Sequence, residues 1–184
     1  NKQSGSTRGG GQLANRLQGM CERIWICYNY RVIDRDLMQL RPHQQRALTA
    51  LADANKGCVY VPTGGGKTVI MMEDCVRRLD DAIDPQTIVV VAPRILLASQ
   101  LSSEFMQYLQ NRDGYEFNNN FAVMHVHSGE TDHFKTTKVD QIQRHDAVCM
   151  HVNVHQLIFT TYNSLPRIVD SGIKVDVLYC DEAH

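Results

Sequence analysis

Two groups of residues in this chain have the types and spacing for phosphate chemistry. The first is Pro62-Thr63-Gly64-Gly65-Gly66-Lys67-Thr68, which follows the strand-like run Cys58-Val59-Tyr60-Val61. Backbone N–H groups of Gly64, Gly65 and Gly66 can approach phosphate oxygens because no Cβ intervenes. A helix opening near Lys67 points its positive end at the same place. Lys67 is placed to reach β- and γ-phosphates, and the Thr68 hydroxyl to ligate Mg²⁺. The second group is the acidic doublet Asp181-Glu182, directly after the apolar run Val175-Asp176-Val177-Leu178-Tyr179-Cys180. Adjacent carboxylates at the end of a buried strand repel each other and resist desolvation, so a divalent cation or a water in need of a base is the usual reason for them. Asp181 is expected to hold Mg²⁺, and Glu182 to orient and deprotonate an attacking water. Together the two groups read as the site of a nucleoside triphosphatase that uses Mg²⁺.

Regular alternation of elements would bring these groups together. Pro42 suits the first turn of a helix carrying Ala47, Leu48 and Leu51, and Gly57 suits its C-terminal cap. A strand at 58–61 leads through the glycine turn into a helix with Val69, Met72, Val76 and Leu79 on one face. Ile88–Ala92 reads as a fully apolar strand, followed by a helix bearing Leu97, Leu101 and Phe105. Further strands are expected at Phe121–Val126, Leu157–Thr161 and Val175–Cys180, with one short helix near Val139–Arg144 in the polar stretch 128–156. Apolar strands separated by helices predict an α/β fold: a mostly parallel sheet with helices on both faces. All strand C-termini then share one edge, where such proteins bind ligands.

Composition sets outer limits. The 184 residues are 43% hydrophobic and 21% charged, with a net charge of −1. That is ordinary for one globular domain, and it excludes a global basic footprint for nucleic acid. No apolar stretch approaches the roughly 18–20 residues that span a bilayer, so no membrane partner is expected. The six cysteines contain no C-x-x-C pair. They are read as reduced thiols of a cytoplasmic protein, with Cys58 and Cys180 acting as small hydrophobes inside strands. His145, Cys149, His151 and His155 lack the usual paired-ligand spacing, and no structural metal is expected there. Residues 1–12 form a Gly/Ser-rich flexible segment. Residues 13–36 make an αβ piece, either an N-terminal extension or the tail of an upstream domain. Residues 37–184 make the main domain, incomplete at its C-terminus. The first residue, Asn1, points to a start cut from something longer.

Four motifs in order carry a family resemblance: P-T-G-G-G-K-T, V-A-P-R-I-L-L-A-S-Q, F-T-T-Y-N-S-L and D-E-A-H. They resemble the first RecA-like domain of superfamily 2 helicases and translocases. Leu40-Arg41-Pro42-His43-Gln44 resembles the nucleotide-recognition segment in the branch that contains type III restriction subunits. The strict G-x-x-x-x-G-K-[ST] pattern is not met, since Val61 occupies its first glycine position, a departure common in that superfamily.

The resemblance implies a RecA-like P-loop NTPase and further roles. Gln44 would read the adenine edge through its amide, which both donates and accepts. Pro93 and Arg94 would face a nucleic-acid backbone, Arg94 through its paired donors. Thr160, Thr161 and Tyr162 would add hydroxyl contacts to the same strand, with capping of the core as the rival role for them. His184 would couple the nucleotide site to a second RecA-like domain. His127-Ser128-Gly129 makes a turn at a strand end that either approaches nucleic acid or serves only as a loop. The expected function is the ATP-binding motor domain of a DNA helicase or double-stranded DNA translocase, with DNA rather than RNA as partner and the isolated fragment poorly active. A restriction-type nuclease upstream is a further expectation. A nucleotide-gated scaffold that binds DNA or protein without moving, and another P-loop phosphotransferase, remain as alternatives.

Overall fold

A computed structural model describes residues 40–52, 54, 56–62, 64–112 and 120–182. The expected flexible segment at 1–12 and the αβ piece at 13–36 lie outside the described residues, as do Thr63 and His184. The elements are α1 (Pro42–Ala52), α2 (Lys67–Asp80), β1 (Thr87–Ala92), α3 (Ile95–Gln110), β2 (Phe121–Val126), β3 (Phe134–Lys135), α4 (Val139–Val152), β4 (His155–Thr161), α5 (Leu165–Ser171) and β5 (Val177–Cys180). The five strands form one sheet in the order β3-β2-β4-β1-β5. Every pairing in it is parallel.

Burial explains that order. β1 is T-I-V-V-V-A and buried at every position, which only a central strand covered on both faces can satisfy. Its alternate side chains enter two cores. Ile88, Val90 and Ala92 join Cys75, Val76 and Leu79 of α2 and Leu101, Phe105 and Leu109 of α3. Val89 and Val91 join Met124, Ile142 of α4, Ile158 and Ile168 of α5. Helices therefore cover both faces, as the patterning predicts.

Three departures from the sequence reading have physical causes. Residues 58–61 form no strand. Cys58, Val59 and Tyr60 are exposed, Tyr60 at 93%. The run is bounded by Gly57 and Pro62, two residues poorly suited to a ladder, so four apolar residues gain little from pairing. β5 is an edge strand with alternating half-buried and exposed positions rather than a buried one. Cys180 is accordingly exposed and not a core thiol. β5 begins at Val177, just after Asp176, whose N–H donates to Thr87 O and whose carboxylate accepts from the Thr87 N–H, both at 2.9 Å. Finally, the helix expected near 139–144 continues to Val152, where Asn153 closes it in the left-handed conformation. The two-residue β3 carries no readable period.

Register fixes the functional edge. Ala92 pairs with Thr161, Val126 with Thr160 and Val91 with Cys180. The segments beginning at Pro93, His127, Tyr162 and Asp181 therefore all leave the sheet on one side.

Candidate nucleotide site

The glycine turn adopts backbone that side chains disfavour. Gly64 and Gly66 have φ of +77° and +78°, a region open chiefly to glycine. Gly65 is tight for a different reason: a Cβ there would lie 2.3 Å from Val61 Cγ1 and 2.9 Å from the Pro62 carbonyl oxygen. The Gly65 N–H donates back to that carbonyl at 2.8 Å, closing the turn. α2 then starts at Lys67 with no side-chain cap and no acidic residue in its first turn. Its first N–H groups and its positive dipole end are left for an anion, while Arg77 and Arg78 complement the other end.

The segment before α1 holds this turn from behind. Gln44 is buried; its Nε2 donates to the Gly65 oxygen at 3.3 Å, and its Oε1 accepts from the Arg41 N–H at 2.8 Å. His43 Nε2 lies 2.8 Å from the same Gly65 oxygen. The Gln44 amide thus packs under the phosphate loop, and a Cβ on Gly66 would meet its Nε2 at 2.4 Å.

Across the sheet edge, Lys67 Nζ lies 3.5 Å from Asp181 Oδ1. The Asp181 N–H extends the ladder to Val91 O at 2.8 Å, so the carboxylate is carried on sheet geometry. Glu182 follows, exposed and with φ of +52°, an uncommon conformation for a residue with a side chain. Lysine, helix N-terminus and carboxylate converge around space that a magnesium–triphosphate group fits chemically. Pro62 is exposed at the turn's entry and Thr68 is half-buried in the first turn of α2.

The nucleic-acid candidates divide. Arg94 is exposed at the start of α3, and Pro93 is half-buried. Thr160 is fully buried and donates its hydroxyl to Val126 O at 2.8 Å. Thr161 is buried with its hydroxyl 3.3 Å from Ser164 Oγ. Tyr162 Oη donates to the Asp181 carbonyl at 2.8 Å. Burial, together with Cys180, Asp181 and Glu182 nearby, pushes the Tyr162 phenol up to about 12, so it stays a donor. The loop 127–129 packs on α3, where a Cβ on Gly129 would strike Ile95 Cγ2 at 2.2 Å.

Two clusters escaped the sequence reading. Asp74 of α2 is 1% exposed and bound by Arg77, Arg78 and Tyr179. At β2, His125 stands between Ser102 and His127. Of His145, Cys149, His151 and His155, two have other partners at Nδ1. His145 Nδ1 meets Gln156 Oε1 at 2.6 Å, and His155 Nδ1 accepts from the Gln86 N–H at 3.1 Å. Among the described residues no three His, Cys, Asp or Glu are grouped to hold a metal. None of the helices among them is long and apolar enough to cross a membrane.

Residues 37–184 match the family described as the type III restriction enzyme, res subunit. The chain belongs to that family. Its fold is the RecA-like α/β domain of superfamily 2 helicases, and members of the family are helicase-like, ATP-dependent motors. Two solved structures share the fold. One is a nuclease-deletion mutant of the Type ISP restriction-modification enzyme LlaGI in complex with a DNA substrate mimic. It has a TM-score of 0.66 and 20% identity over 79% of this chain. The other is the ATP-dependent Type ISP restriction-modification enzyme LlaBIII bound to DNA, with a TM-score of 0.64 and 19% identity over 87% of this chain. The family member described here spans only 15% and 11% of those chains. Comparison with the curated proteins gives no match.

Proposed function

We propose that this domain binds and hydrolyses ATP with Mg²⁺ to drive movement on DNA, as the first motor domain of a helicase or double-stranded DNA translocase. The observation that carries the reading is the approach of Lys67 to Asp181 at 3.5 Å, from residues far apart in sequence. When bound, the magnesium nucleotide supplies the electrophilic γ-phosphoryl group and neutralises charge that develops on it. Gly64 and Gly66 bind phosphate oxygens through backbone N–H groups, Gly65 closes the turn with its N–H on the Pro62 carbonyl, and Lys67 pairs with the outer phosphates. Thr68 and Asp181 are the metal-holding pair, and Glu182 accepts the proton of the attacking water. Gln44 supports the loop: its Nε2 hydrogens are directed at the Gly65 and Gly66 oxygens, and one lone pair on Oε1 is left to accept from an adenine amino group.

DNA as the partner is supported by the two similar structures, one in complex with a DNA substrate mimic and the other bound to DNA. Arg94, exposed at the strand edge beside the nucleotide site, is the residue best placed for a phosphate contact. Thr160 and Thr161 act from within the fold, since their hydroxyls are already engaged. A second RecA-like domain facing this edge would supply an arginine, a contribution of about 10³–10⁵ in rate in related NTPases.

The test is steady-state ATP hydrolysis by the full-length protein with and without duplex DNA. DNA-stimulated turnover that disappears in Glu182→Gln, together with loss of translocation, supports a motor. A Glu182→Gln protein that keeps its DNA-dependent output while ATP stays bound is a nucleotide-gated scaffold instead.

A further inference from the structure

A buried carboxylate with no part in ATP chemistry stands behind the proposed site. Asp74 sits on α2, and its Oδ2 accepts from Tyr179 Oη of β5 at 2.7 Å and from Arg78 Nε at 2.7 Å. Arg77 takes the other oxygen. Burial pushes the Asp74 carboxyl up, but the hydrogen bonds from Arg78 and Tyr179, with the Arg78 charge and Arg77, more than reverse this and hold it below its ordinary range. The Tyr179 phenol is pushed far up, first by burial, then by Cys75 and Asp74. Tyr179 is therefore a permanent donor to a permanent carboxylate.

Such a cluster is an inefficient way to gain stability. Desolvating charges is costly even when they are paired, and Arg77 Nε is buried without a hydrogen-bond partner. An apolar helix–strand contact would hold α2 to β5 at lower cost. A directional contact adds a fixed distance and angle to the register that the apolar pattern sets.

The two ends of this contact are in step with the nucleotide site. Lys67 and Asp74 lie on one face of α2, about two turns apart. Tyr179 and Asp181 lie on one face of the strand, two residues apart. The same helix and the same strand thus meet twice: Lys67 with Asp181 at 3.5 Å, and Asp74 with Tyr179 at 2.7 Å. Among the described residues β5 is an edge strand of four residues paired with β1; the bonds of Asp181 to Val91 O and Tyr162 Oη fix the backbone at its end, and neither ties that end to α2.

We propose that the Asp74–Tyr179 hydrogen bond is a register latch, and that Tyr179 is a positioning residue setting Asp181 opposite Lys67. The inference rests on the ATPase reading of that site. Loss of the phenol leaves Asp74 satisfied by two arginines and leaves the ring in the core. What is lost is the tie between helix and strand, so Asp181 keeps its backbone anchors to Val91 and Tyr162 but not its fixed distance from Lys67.

The experiment uses the full-length protein and Tyr179→Phe. Expected are a fall in kcat of about tenfold, an ATP KM within about twofold of wild type, and a several-fold higher Mg²⁺ concentration for half-maximal turnover. In nucleotide-free protein, amides at 179–181 should exchange faster with solvent deuterium, while those of β1 and β4 stay protected. A Tyr179→Phe protein with unchanged Mg²⁺ dependence and unchanged exchange at 179–181 overturns the latch while ATP hydrolysis stands. Wild-type protein without ATPase activity, or activity that survives Lys67→Ala, overturns the ATPase reading and the latch with it.

Discussion

Lys67 Nζ and Asp181 Oδ1 lie 3.5 Å apart with side chains 43% and 16% exposed. A pair this open to solvent contributes little to stability, roughly 0–1 kcal/mol. On the proposed reading its value is chemical, because it brings the lysine of the glycine loop and the carboxylate assigned to Mg²⁺ to one place.

Lys67→Ala and Asp181→Asn should therefore separate function from folding. Each is expected to lower kcat/KM for ATP by about 10²-fold or more, in line with the loss of a charged group that acts in the transition state. Melting temperatures should move by no more than a few degrees. Thermal melts alongside ATPase assays check this, and a large drop in melting temperature for either variant would reassign the pair to a structural role.

The glycine turn offers a sharper contrast. Gly64 and Gly66 share the left-handed backbone, yet a Cβ on Gly64 meets nothing within 4 Å, whereas one on Gly66 strikes Gln44 Nε2 at 2.4 Å. Gly64→Ala should cost only the conformational penalty, about 1–2 kcal/mol. Gly66→Ala should cost that and also displace the buried Gln44 amide, removing its bonds to the loop. Unfolding in urea with nucleotide-binding titrations distinguishes them: the Gly66 variant is predicted to be the less stable and the weaker binder. Equal effects would mean that Gln44 moves aside freely.

Much of this was legible in the residues. β1 is legible because an apolar run of its length, flanked by helical periods, has one favourable home in the centre of a sheet. The same logic misreads 58–61, whose residues are as apolar as those of β1 but stand between Gly57 and Pro62. Period and composition describe which face is buried, not whether a neighbouring edge is available. Lys67, Asp181 and the glycines are legible because their chemistry is concentrated in contiguous motifs. Asp74 is not, since its partner Tyr179 lies 105 residues away and an aspartate on a helix normally signifies solvent. Thr160 and Tyr162 were visible as polar groups at a strand end. Only geometry shows that their hydroxyls point inward, to Val126 O and Asp181 O.

That inward bond leads to a prediction for Tyr162. Its hydroxyl ties the end of β4 to the backbone of Asp181, 19 residues on. Tyr162→Phe removes one hydrogen bond, about 1 kcal/mol, while keeping the ring against Val89, Val91 and their neighbours. A modest loss of stability is expected. ATP turnover without DNA should fall less than DNA-stimulated turnover, because the bond bridges the strand-edge segment and the acidic doublet. Equal losses under both conditions would reduce Tyr162 to a local support for Asp181.

The histidine chain at β2 carries the pH prediction. The Gly129 N–H donates to His127 Nδ1 at 3.1 Å, so that nitrogen is an acceptor and the His127 proton sits on Nε2. His127 Nε2 then donates to His125 Nδ1 at 3.0 Å, and His125 Nε2 donates to Ser102 Oγ at 3.1 Å. Each ring uses one donor and one acceptor, and a second proton on either would face an N–H. His133 stacks on His125 at 5.7 Å, and Lys135 lies close enough to lower His127 further. Burial, then the His127 and His133 charges, pushes His125 down to about 3. Burial also lowers His127 and His133, with Asp132 opposing it at His133. These histidines bind protons more readily in the unfolded chain, where the ordinary value is about 6.5. Stability is therefore full above about pH 6.5 and falls as the pH drops from there toward 3. Each neutral histidine contributes a slope of up to about 1.4 kcal/mol per pH unit. His125→Gln should lower stability at pH 7.5 yet flatten the loss between pH 7 and pH 5. Urea unfolding at those pH values checks it, and parallel curves for variant and wild type would place the acid sensitivity elsewhere.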